Sequence, residues 1–219
     1  TPITSIKGFL QLALRMAEKT ADQSLLTFIG KANRQLGNLT SLVDDLLDVT
    51  KIQAGKMQFN YGFFNMKKLI VECIDDIQNT ESFSIVIHHL DDVEVYGDEH
   101  RIEQVINNFL SNAIKYSPEI REAKLFTEII DNDIKVTVRD FGVGIPKDKI
   151  DLVFDRFIRV HDSSYMFSGL GLGLYISAEI VKRHGGDIGV ESVVNEGSSF
   201  WFKIPMPKTD HKIGEGFTI

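Results

Sequence analysis

The first part of the chain, residues 1–54, carries a seven-residue hydrophobic repeat that limits the structures it can adopt. Apolar side chains recur at alternating steps of four and three residues, in two runs separated by a polar stretch. This spacing places them on one side of a helix and is typical of bundles and coiled coils. Gly55 then ends the second helix. The repeat therefore predicts a helical hairpin. Its apolar positions are Ile3, Ile6, Leu10, Ala13, Ala17, Leu25, Ile29, Ala32, Leu36, Leu39, Val43 and Leu46.

Two helices alone cannot bury both of these apolar stripes, whereas four helices form a closed unit. A homodimer through residues 1–54 supplies the missing pair, so we expect a dimeric four-helix bundle. A monomeric hairpin packed against the rest of the chain is the alternative.

The hydrophobic period changes from about residue 59, where short alternating segments typical of half-buried strands begin. Helical patterns are interleaved with them, and the strands cluster late and are expected to be mostly antiparallel. This mixture predicts a two-layer α/β sandwich over residues 55–208 and an α+β class for the whole chain. Residues 209–219 are polar and are predicted to form a flexible tail. The helical patterns cover about 65–78, 99–116 and 171–184.

Charge and cysteine content exclude some classes of function. The net charge of −7 and the isoelectric point near 5.4 argue against a nucleic-acid binder, which needs a basic face. Cys73 is the only cysteine, which excludes an intrachain disulfide and fits a reducing compartment. No apolar stretch reaches the ~20 residues of a membrane span. We therefore expect a cytoplasmic location, with a parent protein that is either soluble or membrane-anchored.

The helix predicted over residues 98–116 carries a polar stripe beside its apolar face. Asn108, Asn112 and Lys115 are four and three residues apart, so they lie on one side of the helix. Carboxamide oxygens can bind a hard cation, and an ammonium group can contact phosphate oxygens. A simple solvated stripe would have the same spacing, so both interpretations stay open here.

A second candidate segment, DFGVGIP at residues 140–146, follows an alternating strand. A carboxylate at a strand end, here Asp140, can accept a hydrogen bond from an exocyclic amino group such as that of adenine. Gly142 and Gly144 would let backbone and ligand approach closely. A tight turn without a ligand is the alternative.

A third segment, SGLGLGL at residues 168–174, precedes a predicted helix. Glycines before a helix N-terminus leave backbone N–H groups open to phosphate, and the helix dipole adds to the attraction. The spacing is G-x-G-x-G and not the dinucleotide-binding G-x-G-x-x-G, so a Rossmann fold is unsupported. A flexible loop is the alternative.

Together, the order of these segments resembles the motifs of histidine kinases. They correspond to the N box, the first glycine box, the F box and the second glycine box of that family. The opening TPITSIKG at residues 1–8 resembles the sequence that follows the family's phospho-acceptor motif, H-E-x-[KR]. The matching patterns are N-x-x-x-N-x-x-K-Y at 108–116, D-x-G-x-G-I-P at 140–146, V-F-x-R-F at 153–157 and G-x-G-x-G-L at 169–174.

This resemblance implies that residues 60–207 adopt the ATP-binding fold shared with gyrase, heat-shock chaperone and mismatch-repair ATPases. Asp140 is expected to bind the adenine amino group, and Asn108 and Asn112 to hold Mg²⁺ against the phosphates. Catalytic roles fall to Asn108, Lys115 and Arg159, although a plain surface arginine is the alternative for Arg159. The implied nucleotide-binding residues are Asn108, Asn112, Lys115, Tyr116, Asp140, Gly142, Gly144, Ile145, Phe157, Gly169, Leu170, Gly171, Leu172, Gly173 and Leu174.

The resemblance also implies a mobile lid from about residue 160 to 168. Phe154 and Phe157 would pack at its base. The lid sequence contains no lysine or arginine, so its phosphate contacts are expected to come mostly from backbone groups.

The implied reaction is phosphoryl transfer from ATP to a histidine, followed by relay to an aspartate of a response-regulator receiver domain. Relatives that hydrolyse ATP have a glutamate where Asn108 stands, and an amide cannot act as a general base. This difference favours a kinase. An ATP hydrolase of the same superfamily and a non-catalytic dimerisation scaffold remain as alternatives.

None of the six histidines lies in the first predicted helix. By the resemblance, the phospho-accepting histidine lies four residues before Thr1, and the parent protein carries a sensor domain upstream. We therefore expect this chain to bind ATP without phosphorylating itself. Thr1 matches a threonine that orients water for dephosphorylation of the partner in related kinases. The histidines are His88, His89, His100, His161, His184 and His211.

Overall fold

The computed structural model describes residues 2–20, 23–80, 83–160 and 170–207. The chain divides into two compact units, Thr1–Met57 and Gln58–Ile219, and its α+β class confirms the sequence prediction. The helices are α1 (Pro2–Thr20), α2 (Gln23–Gln53), α3 (Met66–Thr80), α4 (Glu99–Tyr116), α5 (Lys147–Ile150) and α6 (Gly173–Arg183). The strands are β1 (Gly62–Asn65), β2 (Ser84–His89), β3 (Glu94–Gly97), β4 (Glu122–Ile130), β5 (Asp133–Asp140), β6 (Asp187–Val193) and β7 (Gly197–Pro205).

The first unit contains the predicted helical hairpin, in which α1 and α2 pack against each other. Gly55 has a φ of +64°, in the left-handed region, and the N–H of Lys56 donates to the Lys51 carbonyl at 2.8 Å. This is the glycine cap by which helices commonly end, as the sequence predicted. Many apolar side chains of the hairpin stay at least 38% exposed in the single chain: Ile6, Phe9, Leu12, Met16, Leu25, Phe28, Leu39, Val43, Leu46 and Leu47.

The second unit is built on a five-stranded sheet in the order β2-β4-β5-β7-β6. Only the β2–β4 pair is parallel among these neighbours, so the expectation of mostly antiparallel strands is confirmed. A second sheet, of two strands, pairs β1 with β3 antiparallel. This small sheet was not predicted from the sequence, because each of its strands has only four residues.

Alternate residues of the central strands are buried, as the period-two pattern predicted. Val136 pairs with Phe202 and Val138 with Phe200 across the β5–β7 ladder, and all four are at most 6% exposed. Phe109, from the apolar face of α4, packs with its ring 5.6 Å from Phe200 and 6.1 Å from Phe202. The sheet and the helices therefore form the two predicted layers, with α4 at the centre of the core.

Asp98 and His184 connect distant parts of the second unit. The Asp98 side chain caps α4 by accepting from the N–H of Arg101 at 3.1 Å, and it also accepts from the N–H of Asn60 at 2.7 Å. The backbone N–H of Asp98 donates to Nε2 of His184 at 2.9 Å. His184 Nδ1 lies 2.8 Å from the Ile180 carbonyl, which can only accept. The ring is therefore neutral, with its proton on Nδ1.

This neutral ring predicts a loss of stability in mild acid. Burial lowers the pKa of His184 below its ordinary value of 6.5, although the Asp98 carboxylate opposes this shift. The unfolded chain therefore takes up a proton at a higher pH than the folded chain. The contribution of His184 is fully present above pH ~6.5 and is lost as pH falls toward the lowered folded pKa.

Thermal unfolding between pH 8 and pH 5 checks this prediction. We expect the melting temperature of the native chain to fall more steeply below pH 6.5 than that of His184→Gln, whose side chain does not titrate. Parallel curves for the two proteins would show that another group controls the acid sensitivity.

Candidate functional site

Asp140 is the last residue of β5 and is only 3% exposed. Its Oδ1 accepts from the backbone N–H groups of Gly142 at 2.9 Å and Ser198 at 3.1 Å. Burial raises the pKa of this carboxyl, and the two hydrogen bonds oppose that rise. The nearby buried hydroxyl of Ser117 also lowers the pKa of Asp140. This hydroxyl forms no hydrogen bond of normal geometry with any described residue. Both backbone bonds use Oδ1, so Oδ2 is left to accept from a ligand.

The glycine turn after Asp140 is packed against backbone from two other segments. A Cβ on Gly142 would overlap the carbonyl of Tyr116, at the end of α4, and the N–H of Val143 donates to that same carbonyl at 3.1 Å. Gly144 has a φ of +68°, and a Cβ there would overlap the Val193 carbonyl. Neither position has room for a side chain. The turn therefore fixes Asp140 relative to the end of α4.

Ile145 follows in the same turn and is 7% exposed. Its N–H donates to the hydroxyl of Ser192 on β6 at 2.8 Å. The predicted residues Asp140, Gly142, Gly144 and Ile145 are thus held in one loop between α4 and the end of β6.

Asn108 and Asn112 lie one turn apart on α4, and Asn108 contacts the N-terminal part of α6. Asn108 Nδ2 donates to the Ser177 hydroxyl at 2.9 Å, and Asn112 Nδ2 lies 3.5 Å from Asn108 Oδ1. A Cβ on Gly173 would come within 2.5 Å of Asn108 Oδ1. Only glycine lets the first residue of α6 approach this oxygen so closely. The structure therefore brings the asparagine stripe and the glycine-rich segment together.

Lys115, Tyr116 and Arg159 form a cationic group near the end of α4. Burial lowers the pKa of Lys115, and the nearby Arg159 guanidinium lowers it further. Burial also raises the pKa of the Tyr116 hydroxyl, and Arg159 opposes that rise. Lys115 Nζ lies 4.9 Å from the centre of the Tyr116 ring. Two cations placed this close to each other repel, and an anionic ligand would relieve that repulsion.

The N-terminus of α6 has no side-chain cap, because its N-cap residue is Leu172. The first N–H groups of a helix have no partner within the helix, so such an end suits an anion. Gly171, with a φ of +70°, accepts at its carbonyl from the N–H of Phe157 at 3.0 Å. Leu172 is buried, whereas Leu174 is half-buried.

Two of the predicted nucleotide-binding residues have exposed side chains. Phe157 has a φ of +64° and is 60% exposed, and Leu170 is 40% exposed. Gly169, Thr1 and nearly all of the predicted lid lie outside the residues that the structure describes.

Three serines that complete the site were not predicted from the sequence. Ser177 holds Asn108, Ser198 donates to Asp140, and Ser117 lies beside that carboxylate. Ser177 could have been recognised from the sequence, because it places a hydroxyl on the otherwise apolar buried face of α6. Ser198 could not have been recognised in this way, because its bond to Asp140 comes from the backbone N–H, which every residue except proline has.

The donor set fits a magnesium nucleotide. A buried carboxylate suits an amino group, amide oxygens suit a hard cation, and the open helix end and two cations suit phosphates. A larger residue at position 173 would have to displace the Asn108 side chain.

Two family models match the chain. The model for histidine kinase-, DNA gyrase B- and HSP90-like ATPases matches residues 97–208, and the model for the His Kinase A (phospho-acceptor) domain matches residues 1–55.

Individual proteins agree with these matches. The sensor histidine kinase WalK of Bacillus subtilis is 32% identical over 211 residues, which is 94% of this chain and 34% of WalK. The sensor histidine kinase GacS of Pseudomonas protegens is 31% identical over 95% of this chain and 24% of its own length. The solved structure of Acinetobacter baumannii histidine kinase AdeS aligns with a TM-score of 0.66 at 26% identity, covering 94% of this chain and 95% of the AdeS chain. The chain thus spans about a third of WalK and about a quarter of GacS.

Proposed function

This chain belongs to the sensor histidine kinase family, and from that premise we propose that it is the catalytic core of a two-component kinase. It binds ATP with Mg²⁺ and directs the γ-phosphoryl group to a histidine, for relay to the aspartate of a response-regulator receiver domain. The observation that carries this proposal is the convergence of Asn108, Lys115, Asp140 and the start of α6 from separate parts of the chain.

Asp140 selects the base. Its Oδ1 is committed to two backbone N–H groups, so its Oδ2 accepts from the adenine amino group. Gly142 and Gly144 keep side chains out of the pocket, and Ile145 adds an apolar wall. A nucleobase with a carbonyl oxygen at this position would place that oxygen against Asp140 Oδ2. Two acceptors would then face each other without a hydrogen bond, which is unfavourable.

The phosphate end of the pocket lies between α4 and α6. Bound Mg²⁺-ATP supplies the phosphoryl group and much of the charge neutralisation for its transfer. Asn108 and Asn112 offer amide oxygens to the metal, while Lys115 and Arg159 offer positive charge to the phosphates. Tyr116 packs beside Lys115. Catalysis then rests on orientation and electrostatic stabilisation, because a neutral imidazole is already a good nucleophile.

The chemistry at position 108 favours transfer over hydrolysis. Activation of water needs a general base, and the Asn108 amide cannot accept a proton from water. Its NH₂ group is also committed to Ser177. The proposed site assigns the role of general base to no other residue. Attack of water on the γ-phosphate therefore stays slow, and the phosphoryl group is transferred only when a histidine acceptor is present.

Residues 1–54 are proposed to form the dimerisation and phosphotransfer hairpin, and residues 55–208 the catalytic domain. The exposed apolar side chains of α1 and α2 support a homodimer, since a bundle of four helices would cover them. A receiver domain and an upstream sensor domain are the further proposed partners. We propose a cytoplasmic location for this core. None of the described helices is both long and apolar enough to cross a membrane.

A charge on the apolar seam is expected to separate the dimer. Leu39 lies on the seven-residue repeat and is 49% exposed in the single chain. Leu39→Glu would bury a carboxylate in the bundle, so we expect the dimer dissociation constant to rise by about 100-fold or more. Gln35→Glu adds the same charge at an exposed polar position of α2 and should stay dimeric. Light scattering after size-exclusion chromatography measures both masses, and a dimeric Leu39→Glu would contradict the proposed interface.

The proposed activity is tested with the parent kinase, which supplies the acceptor histidine. Incubation with Mg²⁺ and γ-labelled ATP should give an acid-labile, alkali-stable label on the protein. Removal of the acceptor should abolish the label without raising phosphate release. Steady phosphate release that does not depend on the acceptor would instead identify a hydrolase.

A further inference from the structure

Ser177 is a buried hydroxyl that the packing of α6 does not require. It lies one turn after Gly173, is 1% exposed and shares the buried face of α6 with Ile176 and Ile180. An alanine would fill the same place among these apolar neighbours. A buried polar group in a native structure has a hydrogen-bond partner, and the partner of Ser177 is the Asn108 side chain of α4.

The bond between these residues fixes which end of the Asn108 amide faces the nucleotide. A carboxamide has an acceptor oxygen at one end and a donor NH₂ at the other, in nearly the same shape. Asn108 Nδ2 donates to Ser177 Oγ at 2.9 Å, whereas Oδ1 lies beside Gly173 at the start of α6. Asn112 supports the same orientation, because its Nδ2 lies 3.5 Å from Asn108 Oδ1.

We propose that Ser177 is a positioning residue for magnesium. By accepting from Asn108 Nδ2, its hydroxyl keeps Asn108 Oδ1 directed toward the metal and the phosphates. Ser177 itself touches neither. Without the hydroxyl, the half-buried NH₂ group loses its partner, and the amide turns over for part of the time. The turned amide presents NH₂ to the cation, which a metal cannot use as a ligand. This inference rests on the proposed function, since it assumes that Mg²⁺-ATP binds between α4 and α6.

The contribution of magnesium to ATP affinity is the quantity to measure. Calorimetric titration of the 219-residue chain with ATP, in MgCl₂ and then in EDTA, gives the ratio of the two affinities. We expect Ser177→Ala to lower this ratio about three- to tenfold, the effect of one lost hydrogen bond. The affinity in EDTA should stay unchanged. Ser177→Thr retains a hydroxyl and should recover most of the ratio. A melting curve of each variant confirms that it is folded.

A second pair of variants separates positioning from packing. Asn108→Asp has an oxygen at both ends of its side chain, so its orientation no longer matters for the metal. In that background, Ser177→Ala should leave the magnesium contribution unchanged. A role of Ser177 in packing alone predicts a different pattern. Ser177→Ala would then lower the ATP affinity by the same factor in MgCl₂ and in EDTA, so the ratio would stay native, and the loss of affinity would persist in the Asn108→Asp background.

The outcomes also separate this inference from the proposed function. If the native chain gains no ATP affinity from Mg²⁺, the proposed metal site itself is wrong. If the native chain does gain affinity and Ser177→Ala gains as much, only the positioning role of Ser177 is wrong.

Discussion

Replacing Asp140 with asparagine is expected to weaken ATP binding by about 100-fold or more and to leave the fold intact. The carboxylate accepts at both ends: Oδ1 from the Gly142 and Ser198 N–H groups, and Oδ2 from the adenine amino group of the proposed complex. Asparagine has one oxygen and one NH₂ group. Whichever way it turns, a donor faces a donor, either inside the protein or at the base. The lost charge-assisted bond and the unpaired donor together account for about 3 kcal/mol.

Calorimetric titration with Mg²⁺-ATP measures this loss. Asp133→Asn is a matched control, because it makes the same chemical change at the other end of β5, where the carboxylate contacts the half-buried Lys203. That variant should bind ATP as the native chain does. Both variants should retain the far-UV circular dichroism and the solution mass of the native chain. Native affinity in Asp140→Asn would show that this carboxylate does not hold the base.

Replacing Gly142 with alanine is expected both to lower the stability of the second unit and to abolish ATP binding. The new Cβ would overlap the carbonyl carbon and oxygen of Tyr116 and lie 2.9 Å from Ser117 Oγ. The Tyr116 carbonyl is backbone at the end of α4 and cannot rotate away as a side chain would. Relief therefore needs movement of either α4 or the turn that holds Asp140. We expect a loss of about 2–3 kcal/mol in the free energy of unfolding and no measurable ATP binding.

Urea denaturation followed by the fluorescence of Trp201 reports on this unit, because Trp201 is the only tryptophan and lies in β7. Gly62→Ala is the matched control in the same unit. Its Cβ would meet no atom within 4 Å, and its φ does not require glycine. We expect the control to stay within about 0.5 kcal/mol of the native chain. Equal stability of the Gly142 and Gly62 variants would mean that the turn does not pack against α4 as described.

Sequence reasoning was most successful where the physics is local. The seven-residue repeat predicted the hairpin, because helical periodicity alone determines which side chains share a face. The alternating segments predicted β5 and β7 for the same reason. Asn108, Asp140 and Gly173 were also proposed as site residues from the sequence, since an unusual residue type at a helix face, strand end or helix start stands out from its neighbours. Their binding roles stay predictions.

Long-range pairing was not predictable in the same way. Asp140 meets the Ser198 N–H across 58 positions, because β5 and β7 pair in a particular register. Asn108 meets Ser177 across 69 positions, because α4 packs against α6. Neither spacing has a local signature. The parallel β2–β4 pair escaped prediction for a related reason, since strand direction depends on the connection and not on the composition of the strand.

The position of a bound nucleotide tests the central claim most directly. A crystal structure of the chain with Mg²⁺ and a non-hydrolysable ATP analogue should place the adenine amino group within about 3 Å of Asp140 Oδ2. The metal should then lie at Asn108 Oδ1, with the phosphates at the start of α6. A nucleotide whose base contacts Asp140 but whose phosphates point away from α4 and α6 would contradict the account, as would one bound elsewhere on the chain.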